Sequence, residues 1–147
     1  MAQDEESDRQ AIREIVGRQF SSMSWRDGAG PDINAFRGDF LPAATLFPAA
    51  RPVSPRSLDD FCARMAGLAG STLVSFDERV MATHIVLFGN VAMAAVICEN
   101  TENGSEINRN VEMMLLVKEA GAWRIAAQAW DKETPSRPIG DIFPADA

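Results

Sequence analysis

His84-Ile85-Val86-Leu87-Phe88-Gly89-Asn90-Val91-Ala92 consists of two β-prone apolar runs joined by a Gly-Asn dipeptide, and its reading decides the class of fold. Val, Ile and Phe on either side of such a dipeptide close into a β-hairpin, because glycine takes the positive φ that a tight hairpin turn demands. Working outward, the two strands extend over about 72–88 and 91–101. Asn103-Gly104 signals the next turn, about 106–118 a third long strand, 119–122 a looser turn and 123–131 the last strand.

Upstream the period changes. From Ser7, apolar residues fall at Ile12, Ile15, Val16, Phe20 and Met23, the one-sided spacing of an amphipathic helix, with Ser7 and Gln10 as a capping box and Asp27-Gly28 as its end. Asp32 caps a short second helix with Ile33, Phe36 and Phe40 inward, and Ala44–Phe47 forms a short strand. Ser57 and Asp60 open a third helix carrying Leu58, Phe61, Cys62, Met65 and Leu68, closed by Gly67 and Gly70. Helices first and hairpin-linked strands afterwards predict an α+β fold, an antiparallel sheet packed on three N-terminal helices. The 147 residues are expected to form a single domain, with a core at about 8–131, an acidic extension at 1–7 and a proline-containing tail at 132–147.

Composition narrows the function. Hydrophobic residues make up 46% and charged residues 24%, ordinary for a globular chain. There is no tyrosine and one histidine, which excludes mechanisms built on a phenolic acid, a histidine pair or a multi-histidine metal site. Cys62 and Cys98 show no metal-ligand spacing and read as buried thiols in a reducing compartment. The net charge of -7 disfavours nucleic acid, and no apolar stretch is long enough to span a membrane or serve as an export signal, so a cytoplasmic location is expected.

Three passages carry a family resemblance. Phe40-Leu41-Pro42-Ala43-Ala44-Thr45-Leu46-Phe47 after a short helix looks like the "F-x-P-x-A, strand" passage of the nuclear-transport-factor-2-like superfamily, which includes SnoaL-like polyketide cyclases. His84–Ala92 resembles its "H-x-x-x-x-G-x-x-A" hairpin, and Gly121-Ala122-Trp123-Arg124-Ile125 its "G-x-W-R-I" final strand. The resemblance spans about residues 8–131 and implies a conical, strongly curved sheet with a pocket between sheet and helices, often in homodimers. It also sets limits. Ketosteroid isomerases of this superfamily use a strand aspartate and a tyrosine, whereas the matching strand here reads Thr45-Leu46-Phe47-Pro48 and tyrosine is absent. Scytalone-dehydratase-like enzymes rely on tyrosines and two histidines, so that mechanism does not transfer either. SnoaL-like cyclases use an acidic base on an inner strand, a role for which Glu112 or Asp131 has the right chemistry.

Turn arithmetic assigns faces, since directly opposed residues of antiparallel strands point the same way. With two-residue turns at Gly89-Asn90 and Asn103-Gly104, and four residues in the last turn, the rows are Phe88-Val91-Leu116-Ile125, Val86-Met93-Met114-Ala127, His84-Ala95-Glu112-Ala129 and Ala82-Ile97-Asn110-Asp131. Such rows describe a cavity with an apolar base and a polar upper wall. The expected catalytic group is therefore His84, Glu112 and Asp131, with His84 as proton carrier. Ala82, Ala95, Met93, Ile97, Asn110, Met114 and Ala129, with Phe36 and Phe47, are expected to line the pocket. Each residue also has a plainer role: an inner histidine as a structural residue, Glu112 pairing an arginine, Asp131 bonding tail amides, Asn110 as a ladder residue. Arg51 and Arg56 could clamp an anion or stay solvated, and Asn103-Gly104-Ser105 matches a glycosylation sequon that a hairpin turn equally explains.

The alternate face, with Met81, Thr83, Ile85 and Leu87, Ala92 to Cys98, Val111 to Val117, and Ala126, Gln128 and Trp130, is also apolar and needs a cover. A homodimer through Met113, Leu115 and Val96 is expected, with the tail residues Ile139, Ile142 and Phe143 as the other candidate cover. Two functions remain: a cofactor-free isomerase, dehydratase or cyclase acting by proton transfer on a small apolar or amphipathic molecule, and a non-catalytic ligand-binding or dimerisation module.

Overall fold

A computed structural model describes residues 2–27, 29–140 and 142. Gly28, Phe143 and Pro144, which the sequence reading used as a helix end and as tail, lie outside the described residues. The elements run α1 (Ala2–Ser22), α2 (Ile33–Arg37), β1 (Phe40–Phe47), β2 (Arg56–Ser57), α3 (Leu58–Ala69), β3 (Phe76–Phe88), β4 (Val91–Glu102), β5 (Glu106–Glu119) and β6 (Ala122–Lys132). They form an α+β fold with one six-stranded sheet in the order β2-β1-β6-β5-β4-β3. The sheet is mixed rather than wholly antiparallel, because β1 pairs with β6 in parallel. Both short-helix caps form as the sequence suggests: Asp32 accepts from the Ala35 amide and Ser57 Oγ from the Asp60 amide, each at 3.1 Å. Ser7 is not a cap, since α1 begins near residue 2, and Gly67 lies inside α3, which ends at Gly70.

Helix α1 buries Ile12, Ile15, Val16 and Phe20 on the sheet, with Met23 just beyond its end. Polar contacts fix where it lies. Asp8 accepts from Lys118 Nζ and Trp123 Nε1, both at 2.9 Å, tying the start of the helix to β5 and β6. Those two bonds, Trp123 first, hold the Asp8 carboxyl below its ordinary range. Further along, Arg18 grips Asp39 through two bonds of 3.0 and 2.9 Å. Leu46, Val96, Leu116 and Ile125 complete a core between helices and sheet in which all four are fully buried.

Candidate functional site

Three local features decide which side chains meet the helices. The connection between β4 and β5 contains Asn103, Gly104 and Ser105, so Glu102 pairs with Glu106 rather than with a residue one position earlier. Asn103 and Gly104 both adopt positive φ, 52° and 76°. The Asn103 side chain is committed elsewhere: Oδ1 accepts from the Val74 and Ser75 amides at 2.8 and 3.2 Å, and Nδ2 donates to the Thr72 carbonyl at 3.1 Å. This clamp holds the wider turn open. A one-residue change of register exchanges the faces of a whole strand, so Glu112 lies opposite Val96 and Asn110 opposite Cys98. A second irregularity leaves Ala126 unpaired between Ile125 and Ala127, which brings Gln128 opposite Met114 and Trp130 opposite Glu112. A third, at Met81, turns Val80 toward Cys98 and Glu78 toward Asn100.

The expected site is divided by these shifts. Glu112, Asn110, Met114 and Phe36 lie on the helix-covered face. His84, Ala82, Ala95, Ile97, Asp131 and Ala129 lie on the opposite face, in the rows His84-Ala95-Met113-Ala129 and Ala82-Ile97-Val111-Asp131, as do Met93 opposite Leu115 and Phe47 beside Ala129. His84 and Asp131 therefore do not share a cavity with Glu112, and Trp130, expected on the outside, packs edge-on against Phe61 of α3 at 5.6 Å. Val96, expected at a dimer interface, is core. Arg51 donates to the carbonyls of Pro48, Ala49 and Ala50 and so braces its own loop.

On the helix side the polar residues gather around a cavity of about 130 Å³ lined by Gln19, Met23, Phe36, Phe61, Met65, Phe76, Glu78, Asn100, Asn110, Glu112, Gln128 and Trp130. Gln19 of α1 and Gln128 of β6 exchange two amide hydrogen bonds of 2.9 Å. That pairing aims the remaining proton of Gln128 Nε2 at Glu112 Oε1, while the Cys98 thiol donates to Glu112 Oε2 at 3.5 Å. Burial pushes the Glu112 carboxyl up to about 7, against the opposing pull of the Cys98 and Gln128 bonds. Glu78 is raised well above the carboxylate range, by burial first and then by the charge of Glu112, and the Cys98 thiol is pushed up mainly by burial. Two acceptors remain unmatched: Asn100 Oδ1 and Asn110 Oδ1 are buried with no hydrogen-bond partner. Such a site can hold a molecule against aromatic walls and exchange a proton with it near neutral pH.

Sequence reasoning missed Gln19, Glu78, Cys98, Asn100 and Gln128. One signal was present for Gln19, a carboxamide on the apolar stripe of α1 between Ile12, Val16 and Met23. A polar group on a buried stripe requires a partner, and the partner here is Gln128.

No protein-family model and no curated protein sequence matches the chain. Solved structures do resemble it. A nuclear-transport-factor-2-like protein of unknown function from Silicibacter pomeroyi superposes with a TM-score of 0.63 and 19% identity over 87% of this chain and 98% of the other. One from Pseudomonas putida gives 0.70 and 14% identity over 94% and 97% of the two chains. A protein from Novosphingobium aromaticivorans, provisionally named a scytalone dehydratase, gives 0.71 and 12% identity over 95% and 98%. The chain thus has the nuclear-transport-factor-2-like, or cystatin-like, fold. Among the described residues no helix is long and apolar enough to cross a membrane.

Proposed function

We propose that the helix-side cavity binds a small molecule and that Glu112 exchanges a proton with it, in a reaction of the isomerase, dehydratase or cyclase type that needs no electron carrier. The observation that carries this reading is a buried carboxyl on the wall of a cavity, pushed up to about 7 by burial and with both oxygens held in place. A general acid or base works best when its pKa lies near the working pH. With Glu78 on the same cavity, ionisation of Glu112 disfavours ionisation of Glu78, so one carboxyl can be a base while the other remains an acid. The name of the Novosphingobium neighbour is in keeping with proton-transfer chemistry in this fold, although the tyrosines and histidine pair of that mechanism have no counterparts here.

The ring opening of 1,2-benzisoxazole tests this. The base removes the proton from the ring carbon, the nitrogen–oxygen bond breaks, and 2-hydroxybenzonitrile forms with no other reactant. Acceleration over free acetate by at least roughly 10²-fold, rising with pH through about 7 and lost in Glu112→Gln, is the expected result. A rate no better than acetate in the wild type would overturn the proposal.

The other face supports the dimer component of the reading. Val86, Val91, Met93, Met113 and Leu115 are exposed there, and Phe88 is 84% exposed at the end of β3. Contiguous apolar surface of this kind marks an interface, and we infer that two copies pack through Met113 and Leu115.

A further inference from the structure

We infer that the molecule taken by the helix-side cavity is a cation, an ammonium group on an apolar body about the size of benzene. This rests on the reading of that cavity as a small-molecule site and names the class of ligand.

Acceptors outnumber free donors at the cavity wall. Around the cavity stand the carboxyls of Glu78 and Glu112 and the unmatched carboxamide oxygens of Asn100 and Asn110, residues 8% and 4% exposed. All of these can accept hydrogen bonds. Three of the nearest donors are committed elsewhere: Gln128 Nε2 serves Gln19 and Glu112, the Cys98 thiol serves Glu112, and Asn110 Nδ2 reaches Asn108 Oδ1 at 3.5 Å. A buried acceptor without a donor is costly. A ligand bringing two or three N–H groups answers that deficit, whereas a ligand bringing acceptors deepens it.

Charge carries the argument further. Among the described residues no Lys, Arg or His lines the cavity, so a bound anion would be buried without a counter-ion beside two carboxyls. An ammonium would instead neutralise one of them. The walls suit it as well. Phe36 and Phe61 stack at 5.6 Å and Phe61 meets Trp130 edge-on, and aromatic faces attract cations. The volume sets the size, because a cavity of about 150 Å³ accommodates benzene and this one measures about 130 Å³.

Binding of a cation favours the ionised carboxyl, so affinity should depend on pH. The titratable groups facing Glu112 are Glu78 from β3 and the Cys98 thiol from β4; Gln19 of α1 and Gln128 of β6 are neutral, and the lining residues from α2 and α3 are Phe36, Phe61 and Met65. Affinity for an ammonium should rise as pH increases through about 7, where Glu112 loses its proton, and a proton should be released on binding.

Calorimetry with four probes of one shape tests the inference: benzylammonium, benzyl alcohol, toluene and benzoate. Benzylammonium should bind at least about tenfold more tightly than benzyl alcohol at pH 8, with proton release detected in buffers of different ionisation enthalpy, and benzoate should bind most weakly. Glu112→Gln should reduce the preference for the cation by about tenfold and remove its pH dependence while toluene binding persists, which shows that the cavity survives the substitution. Asn110→Leu should weaken benzylammonium relative to toluene. Equal affinity for alcohol and ammonium, or tightest binding of benzoate, would overturn the cation inference while leaving the cavity a small-molecule site. Failure of all four probes to bind, together with an uncatalysed benzisoxazole, would overturn both readings.

Discussion

Glu112 and Met113 are neighbours on β5, yet the glutamate is buried against the helices and the methionine is exposed on the opposite face. The contrast holds along the whole sheet. The covered face holds Glu78, Asn100, Asn110, Glu112 and Gln128 around a cavity, and the open face exposes Val86, Met93, Met113 and Leu115. This reverses the ordinary expectation for a one-sided antiparallel sheet, apolar inside and polar outside. Polar groups are retained in a core where they bond one another or meet a ligand, and apolar groups are retained on a surface where another surface covers them.

The largest effect should come from removing the device that separates the faces. Deleting Ala126 would close the irregularity in β6 and turn Gln128 and Trp130 outward, stranding Gln19 and Glu112 without their partner. We expect a loss of roughly 4 kcal/mol or more, measured by denaturant melts; a variant with wild-type stability would show that the register is not set there.

Next is the dependence of stability on pH. Because burial raises the Glu112 pKa, the folded protein holds that proton more tightly than the unfolded chain does. The stabilisation is complete below about 4.5 and is lost as pH rises through about 7. The Glu112 share is roughly 3 kcal/mol, and Glu112→Gln should remove that share and leave the slope that the raised Glu78 carboxyl adds, with the variant the more stable protein at pH 8. Melts recorded between pH 5 and 8 check both the slope and its reduction.

On the open face, Met113→Lys should convert a dimer to a monomer in sedimentation at micromolar concentration while changing the stability of the single chain by no more than about 0.5 kcal/mol, since the side chain is half exposed. A wild-type protein that sediments as a monomer would remove the reason given for the apolar surface. The smallest effect is expected from His84→Ala. Its side chain is on the face away from Glu112, so benzisoxazole turnover should stay within about twofold of wild type, inside the scatter of a surface substitution; a large loss would mean that the two faces communicate.

Much of the architecture was legible because its signals are local. The 3.6-residue spacing of Ile12, Val16, Phe20 and Met23 requires a helix wherever it packs, Asp32 and Ser57 cap their helices with their own side chains, and Gly89 adopts the positive φ that its turn needs. The three passages near Phe40, His84 and Trp123 pointed to a fold that the solved structures share. Glu112 and Asn110, which the sequence singles out on β5, face the helices.

What the sequence determined by itself, then, was the order and kind of the main elements, though not β2, the α+β class and the presence of an unusual polar set among β-strands, since capping, periodicity and turn chemistry act over a few residues. Which polar residues meet was decided only by the tertiary structure. A strand has a period of two, so one residue gained in the Asn103–Ser105 connection or at Ala126 exchanges its faces. The sequence here offered no correction, because both faces of the sheet are apolar enough to pass for a core. The choice was made at a distance: Asn103 is clamped to residues 72–75, and Gln128 is drawn inward by Gln19 from a helix more than a hundred residues earlier.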